Sequence, residues 1–303
     1  MTAKRFVSCG ECMIEMAGGS DGTGGHWKMG IAGDTLNTAW HFRNATDADD
    51  WHVSYVTALG DDRYSGQIST FIRDAGIETD DIQVITGKRP GLYLIGQEDG
   101  DRFFTYWREN SAARRMADDT SRLASAFTDA DVLYLSGITL AILSPDRRAA
   151  LTELLGQLPA KTRIVFDPNI RPALWEDRET CKQVITDVAK RSSIVLPSFD
   201  DEASLFGDAS PEETVLRYRD LGVAEVIVKN GSKACTFLKD GQAASLETPN
   251  VSNVVDATGA GDSFNAAFLA ARFANSTTED AIAKGQALSA RVIQTHGALL
   301  RVN

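Results

Sequence analysis

Short apolar runs alternate with longer stretches of helical periodicity along most of this 303-residue chain. The runs Arg5–Ser8, Val53–Leu59, Val132–Leu135, Arg163–Phe166, Ile194–Leu196 and Val226–Val228 predict strands, most of them apolar enough to be covered on both faces. Between them, Asp34–Phe42, Tyr64–Ala75, Pro145–Gln157, Glu179–Lys190 and Pro211–Asp220 carry apolar positions at helical spacing. Ser144-Pro145 and Ser210-Pro211 each set a capping residue before a first-turn proline. Strand and helix in alternation are the pattern of βα units, so the expected fold is α/β, built on a mainly parallel, doubly wound sheet.

Two regions break the rhythm. Between Gly87 and Glu109, the β-rich segments Gly91–Gln97 and Arg102–Trp107 flank Glu98-Asp99-Gly100-Asp101, a hairpin signal. A glycine-rich stretch from Ala17 to Met29 separates the first strand from the first helix and supplies room for further strands. With no internal repeat and no Pro/Ser-rich linker, residues 1–303 read as one domain with a small β lid inserted at roughly 11–31 and 87–109.

Composition narrows the partners. The formal net charge is -11 and the basic residues are scattered, so no stripe is available to neutralise a nucleic-acid backbone. No apolar leader follows Lys4 and Arg5, and no run of about 18 apolar residues occurs, so no membrane is expected and the setting is cytoplasmic. Cys9, Cys12, Cys181 and Cys235 are too few and too dispersed for a disulfide framework. Cys9 and Cys12 form a C-x-x-C, but no second pair or histidine cluster completes a metal site, and none is assigned. His26, His41, His52 and His296 lack ligand spacing.

The most informative stretch is Val255-Asp256-Ala257-Thr258-Gly259-Ala260-Gly261-Asp262-Ser263-Phe264, which runs through two glycines into a helical pattern beginning near Ser263. Glycines let backbone N–H groups approach a ligand, and at a helix N-terminus those groups make a site for phosphate or developing negative charge. Asp262 then stands where a carboxylate can accept a proton from an attacking hydroxyl; the alternative is a simple turn with Asp262 as a cap. No G-x-x-x-x-G-K-[ST] occurs, and Gly259-Ala260-Gly261 lacks the third glycine of a dinucleotide fingerprint.

Asp256-Ala257-Thr258-Gly259-Ala260-Gly261-Asp262 resembles the D-T-x-G-A-G-D signature of ribokinase-like (PfkB) kinases, with the threonine displaced by one position. Ala32-Gly33-Asp34-Thr35-Leu36-Asn37-Thr38-Ala39 is similar to the family's sugar-contacting G-G-x-x-x-N-x-A stretch. The resemblance implies a ribokinase-like fold, ATP with Mg2+, Asp262 as general base, and an anion hole of the N–H groups of Gly259, Ala260 and Gly261. It further implies sugar contacts from Gly33, Asp34 and Asn37, and a nucleotide cleft along Ser198, Lys229, Gly231, Gly259 and Gly261. Where many members have N-x-x-E, this chain reads Ser198 and Asp201, with Glu202 as a shifted alternative.

Within the family, Gly10-Glu11-Cys12-Met13-Ile14-Glu15-Met16, Gly91-Leu92-Tyr93, Tyr106-Trp107-Arg108-Glu109-Asn110-Ser111-Ala112-Ala113 and Phe166-Asp167-Pro168-Asn169-Ile170-Arg171-Pro172 are similar to 2-keto-3-deoxygluconate kinases. That likeness implies phosphorylation of a sugar acid at its 6-hydroxyl. Arg108 and Arg171 are then candidates for its carboxylate, and Tyr93, Tyr106 and Asn169 for its oxygens. Pairing through the lid implies a homo-oligomer. The alternatives are a kinase for a neutral sugar such as fructose or ribose, and a non-catalytic sugar-binding regulator on the same fold.

Overall fold

Successive side chains in the predicted strands enter two different apolar layers, as a period of two requires of a sheet covered on both faces. Val7, Leu133, Phe166 and Val226 join one layer, and their neighbours Phe6, Val132, Val165 and Ile227 join the other. The computed structural model describes residues 3–18, 26–98 and 101–300.

The strands, in chain order, are β1 (Lys4–Cys9), β2 (Met13–Ala17), β3 (Lys28–Ala32), β4 (Trp51–Val56), β5 (Ala58–Leu59), β6 (Gln83–Val84) and β7 (Gly91–Glu98). They continue with β8 (Asp101–Trp107), β9 (Val132–Ser136), β10 (Arg163–Asp167), β11 (Ile194–Val195), β12 (Glu225–Val228), β13 (Cys235–Lys239) and β14 (Gln242–Leu246). Helices α1 (Asp34–Ala45), α2 (Arg63–Asp74), α3 (Thr120–Thr128), α4 (Gly137–Ala141) and α5 (Pro145–Gln157) are followed by α6 (Arg178–Ala189), α7 (Phe199–Phe206), α8 (Pro211–Asp220), α9 (Ala260–Phe273) and α10 (Thr278–Val292).

The main sheet has the order β14-β13-β12-β11-β10-β9-β1-β4 and is parallel from β4 to β12. Helices α1, α2, α9 and α10 cover one face through Leu36, Ile72, Phe268 and Ile282, whereas α3, α5, α6 and α8 cover the other through Phe127, Leu151, Ile185 and Tyr218. Fully burying each such side chain contributes roughly 1.5–3 kcal/mol. The chain leaves β1 toward β4 on one side and returns to β9 on the other, so the strand order reverses between β1 and β9. In open α/β sheets a ligand crevice forms at such a switch, beyond the carboxyl ends of the strands.

The predicted helices are present with ends within a few residues, and the sheet departs from expectation in two places. Val53–Leu59 divides at Thr57: β4 stays in the main sheet, while β5 pairs with β6 apart from it. Strands β13 and β14, unrecognised in the sequence, add an antiparallel edge because the turn at Asp240-Gly241 reverses the chain with both residues at positive φ. Ser210 caps α8 by accepting from the Glu213 N–H, whereas the Ser144 hydroxyl instead accepts from Arg147.

The two regions that break the rhythm join in a second, four-stranded sheet, ordered β3-β2-β7-β8. The hairpin β7–β8 is antiparallel with Glu98 opposite Asp101, and β7 joins β2 in parallel. Residues 19–25 of the glycine-rich stretch and 99–100 of the hairpin turn lie outside the described residues. No described helix is long and apolar enough to cross a membrane.

One buried charge network fixes α7 against α8. The fully buried Glu202 carboxylate accepts from Arg217 (2.6 Å) and from the Tyr218 hydroxyl (3.0 Å), while Arg217 also pairs with Asp208 (2.7 Å) and lies over the Phe206 ring. Burial pushes the Glu202 carboxyl up to about 7 despite the guanidinium beside it. Removing one partner of such a pair strands the other charge in the interior. Arg217→Ala is therefore expected to cost about 3–5 kcal/mol, read as a lower midpoint in denaturant unfolding with an unchanged slope. A variant as stable as wild type would show that the pair contributes no net stability.

Candidate active site

Four of the parallel strands deliver a residue to the crevice at the switch. The segment after β1 brings Glu11, β10 ends in Asp167, the loop after β11 carries Ser198, and Lys229 follows β12. Beyond them lies a cavity of about 780 Å³, walled also by Gly33, Asp34 and Asn37 at the start of α1. Tyr93, Phe104, Tyr106 and Arg108 of the second sheet complete its rim, and Asn169 and Arg171 its far side. A neighbouring cavity of about 500 Å³ is lined by Lys229, Asn230, Gly231, Pro249, Val251, Val254 and Ile293. Both cavities share Ser198, Lys229, Ala257, Ala260 and Gly261, so the turn into α9 separates them.

That turn depends on Gly259, which precedes α9 with φ at 75°, a conformation costly for side chains. A Cβ there would also stand 2.6 Å from the Ala298 methyl. The helix begins at Ala260, three residues earlier than its apolar pattern predicts, and Asp262 lies in its first turn rather than at the cap. Of the three N–H groups expected to form an anion hole, that of Ala260 donates to the Ala257 carbonyl at 3.2 Å within the turn itself.

Asp262 is held between helices. Its Oδ2 accepts from Asn37 Nδ2 at 2.8 Å, and its own carbonyl accepts from Thr38 at 3.4 Å. Burial is the main force raising its carboxyl, to about 7, and the nearby Asp34 and Asp167 raise it further, while the Asn37 hydrogen bond and Lys229 oppose them. Asp34 accepts from Asn169 at 2.7 Å; Asn169 has φ of 35° and is braced by its own N–H to Asp167. Lys229 donates to Asp167 (2.9 Å) and to Asn265 (3.0 Å), and Asn265 donates in turn to Asp167 and to the Tyr134 hydroxyl.

The arginines differ. Arg171 is half-exposed and meets Asp201 at 3.3 Å. Arg108 is almost fully buried and ion-paired with the Glu11 carboxylate, and its Nε–H is buried without a partner among the described residues. Tyr93 and Tyr106 are a cross-strand pair with ring centroids 5.7 Å apart, and they also face the cavity. The Tyr93 hydroxyl donates to Glu15 at 2.5 Å. Of the two acidic alternatives after Ser198, Glu202 points into the α7–α8 core and Asp201 turns toward Arg171. Asp200 lines the smaller cavity.

Glu11, Glu15, Asp167 and Asn265 carry much of this geometry yet were not singled out as site residues. The signal available was position: Glu11 and Asp167 each lie at or just past the end of a buried strand. Cys9 and Cys12 are buried free thiols, and burial pushes the Cys9 thiol up to about 12, away from the thiolate that is the reactive and metal-binding form. Among the described residues no group of three or more His, Cys, Asp or Glu is gathered to hold a metal.

Comparison with known proteins agrees with this architecture. A 2-dehydro-3-deoxygluconokinase of Dickeya dadantii is 37% identical over 99% of this chain and 98% of its own. Among solved structures, the 2-dehydro-3-deoxygluconokinase of Thermotoga maritima superposes with a TM-score of 0.82 at 19% identity, covering 98% of this chain and 95% of its own. Aminoimidazole riboside kinase of Salmonella enterica, solved with aminoimidazole riboside and an ATP analog, gives a TM-score of 0.80 at 20% identity, covering 97% and 95%. The family model described as pfkB family carbohydrate kinase matches residues 3–302, and the chain belongs to that family.

Proposed function

We propose that this protein transfers the γ-phosphate of ATP to the 6-hydroxyl of 2-dehydro-3-deoxygluconate, the sugar acid also called 2-keto-3-deoxygluconate. The observation that carries this reading is the position of Asp262, a half-buried carboxylate that lines the larger cavity beside the turn shared by both. The larger cavity takes the sugar acid and the smaller takes ATP, its base among the apolar side chains of Val251, Val254 and Ile293. Asp262, oriented by Asn37, aligns the hydroxyl and accepts its proton late in the transfer. Gly259 and Gly261 present backbone N–H groups at the N-terminal, positive end of α9, where charge on the transferring group is stabilised. Lys229 adds a cation on the shared wall. Asp200, which lines the smaller cavity, would be the carboxylate nearest a magnesium ion carried in with the nucleotide, which would keep several waters and neutralise phosphate charge.

Arg108 and Arg171 face the larger cavity and supply the cations a sugar acid needs. Gly33 and Asp34 contact the sugar together with Asn37, while Tyr93, Tyr106 and Asn169 complete its surroundings. The second sheet acts as a lid on a single domain. Its outward face exposes Met29, Phe103 and Trp107, and β8 is an unpaired edge, features that favour a second copy. Free buried thiols suit a cytoplasmic setting.

ADP release measured against a panel of sugar acids and neutral sugars is expected to favour 2-keto-3-deoxygluconate over fructose and ribose. Asp262→Asn keeps a similar shape and is expected to lower kcat by on the order of 10²–10⁴-fold with ATP binding retained. A preference for a neutral sugar would remove the sugar-acid reading, and turnover within a few-fold of wild type would remove Asp262 as the base.

The acid limb of the pH profile follows from the raised Asp262 carboxyl. Only the ionised form accepts a proton, so kcat/KM should fall about tenfold per pH unit below about 7 and level off above it. Asp34→Asn removes the neighbouring charge that helps raise this carboxyl, so the midpoint should move to lower pH. A midpoint unmoved or shifted upward would separate the limb from Asp262.

For the assembly, sedimentation velocity is expected to show a dimer that Trp107→Glu converts to monomer. A wild-type monomer at micromolar concentration would dismiss pairing through the second sheet.

A further inference from the structure

The chain crossings between the main sheet and the second sheet converge on one buried residue that the chemistry above does not use. Glu11 lies in the connection from β1 to β2 and is 2% exposed. Its own carbonyl is packed so closely by Gly33, where β3 gives way to α1, that a Cβ at Gly33 would stand 2.3 Å from it. A Cβ at Gly91, the first residue of β7, would stand 3.0 Å from Glu11 Oε1. Just past the end of β8, Arg108 donates to Oε2, and Ser111 donates to Oε1 at 2.5 Å.

Among the described residues the Glu11 carboxylate is thus the acceptor that ties the guanidinium to the end of β1, while the same guanidinium lies 5.7 Å from the Tyr106 ring centroid and lines the larger cavity. Its Nε–H still lacks a partner among the described residues. An arginine presents a planar fork whose usefulness to a carboxylate depends on orientation, so whatever fixes the fork fixes the selectivity.

We propose that Glu11 is a specificity-determining positioning residue, holding Arg108 at the reach and angle that let it take the carboxylate of an anionic sugar. This rests on the sugar-acid reading of the cavity. Glu11 touches no reacting atom; it acts through Arg108, and the length of its side chain is what matters.

Two variants separate length from charge. Glu11→Asp keeps the charge and shortens the anchor by one methylene, and Glu11→Gln keeps the length, an acceptor for Arg108 and a polar group for Ser111. Each is assayed with 2-keto-3-deoxygluconate and with its neutral carboxamide. Glu11→Asp is expected to raise KM for the acid by on the order of tenfold, the scale of a weakened bond to a charged group, with kcat changed less than about threefold. The acid-to-amide ratio of kcat/KM should fall in proportion, and Glu11→Gln should restore most of it. An Asp variant that loses acid and amide equally would reduce Glu11 to a structural role, and one that uses the acid as wild type does would overturn the proposal. So would a Gln variant as impaired as the Asp one. If wild type phosphorylates no sugar acid, the functional reading itself fails, an outcome visible before any variant is made.

Discussion

The hydrogen bond from Asn37 to Asp262 joins helices whose contacting residues are 225 positions apart. Much of the site follows from that join. It brings the start of α1 against the first turn of α9, and it gives Asp262 a fixed direction although burial and two neighbouring carboxylates oppose its charge. Hydrogen bonds within a low-dielectric site are strong when satisfied and costly when broken, so Asn37 orients the carboxylate as well as partnering it. The left-handed turn at Gly259 sets where that first turn begins, and the Ala298 contact leaves no room for another residue there.

Charge pairing sorts the cavity into roles. Lys229 is balanced by Asp167, Arg108 by Glu11 and Arg171 by Asp201, whereas Asp34 and Asp262 have neutral amides as their hydrogen-bonding partners. A buried cation without a counter-charge is expensive, so Arg108 and Lys229 are each held by a carboxylate, whereas the half-exposed Arg171 meets Asp201 near the surface. Among the described residues the direct partner of the Asp262 carboxylate is the neutral Asn37 amide; a direct ion pair would lower its carboxyl.

Two sheets share the labour. The main sheet is covered on both faces and supplies residues at its strand ends. The second sheet carries aromatic side chains on both surfaces: Phe104 and Tyr106 face the cavity, Phe103 and Trp107 face away. Alternation along β8 therefore serves two purposes with one strand. Phe103 lies over Gly96 of β7, where a Cβ would meet its ring, so the outward face is built around that ring.

How much was legible from residues alone can be judged at particular points. Strand and helix alternation, the lid segments and the two glycine-bearing motifs were readable because local periodicity and turn chemistry report local structure. Asp262, Asn37, Tyr106, Arg108 and Arg171 could be picked out and do face one cavity. Their partners could not: Glu11 beside Arg108, Asp167 and Asn265 around Lys229, and Glu15 at Tyr93 are long-range pairs with no periodic signature. Periodicity also misplaced the start of α9, since a positive-φ glycine decides that boundary, and it missed β13 and β14, short and half-polar at a sheet edge. The different surroundings of Asp201, which meets Arg171, and Glu202, which meets Arg217, likewise have no signature in the sequence. The amino-acid order by itself determined the layers, the turn into α9 and the residue types available for phosphoryl transfer. Which carboxylate is buried, which arginine is already paired and which carboxyl is raised were decided only when distant segments met, because desolvation and pairing are properties of the assembled interior.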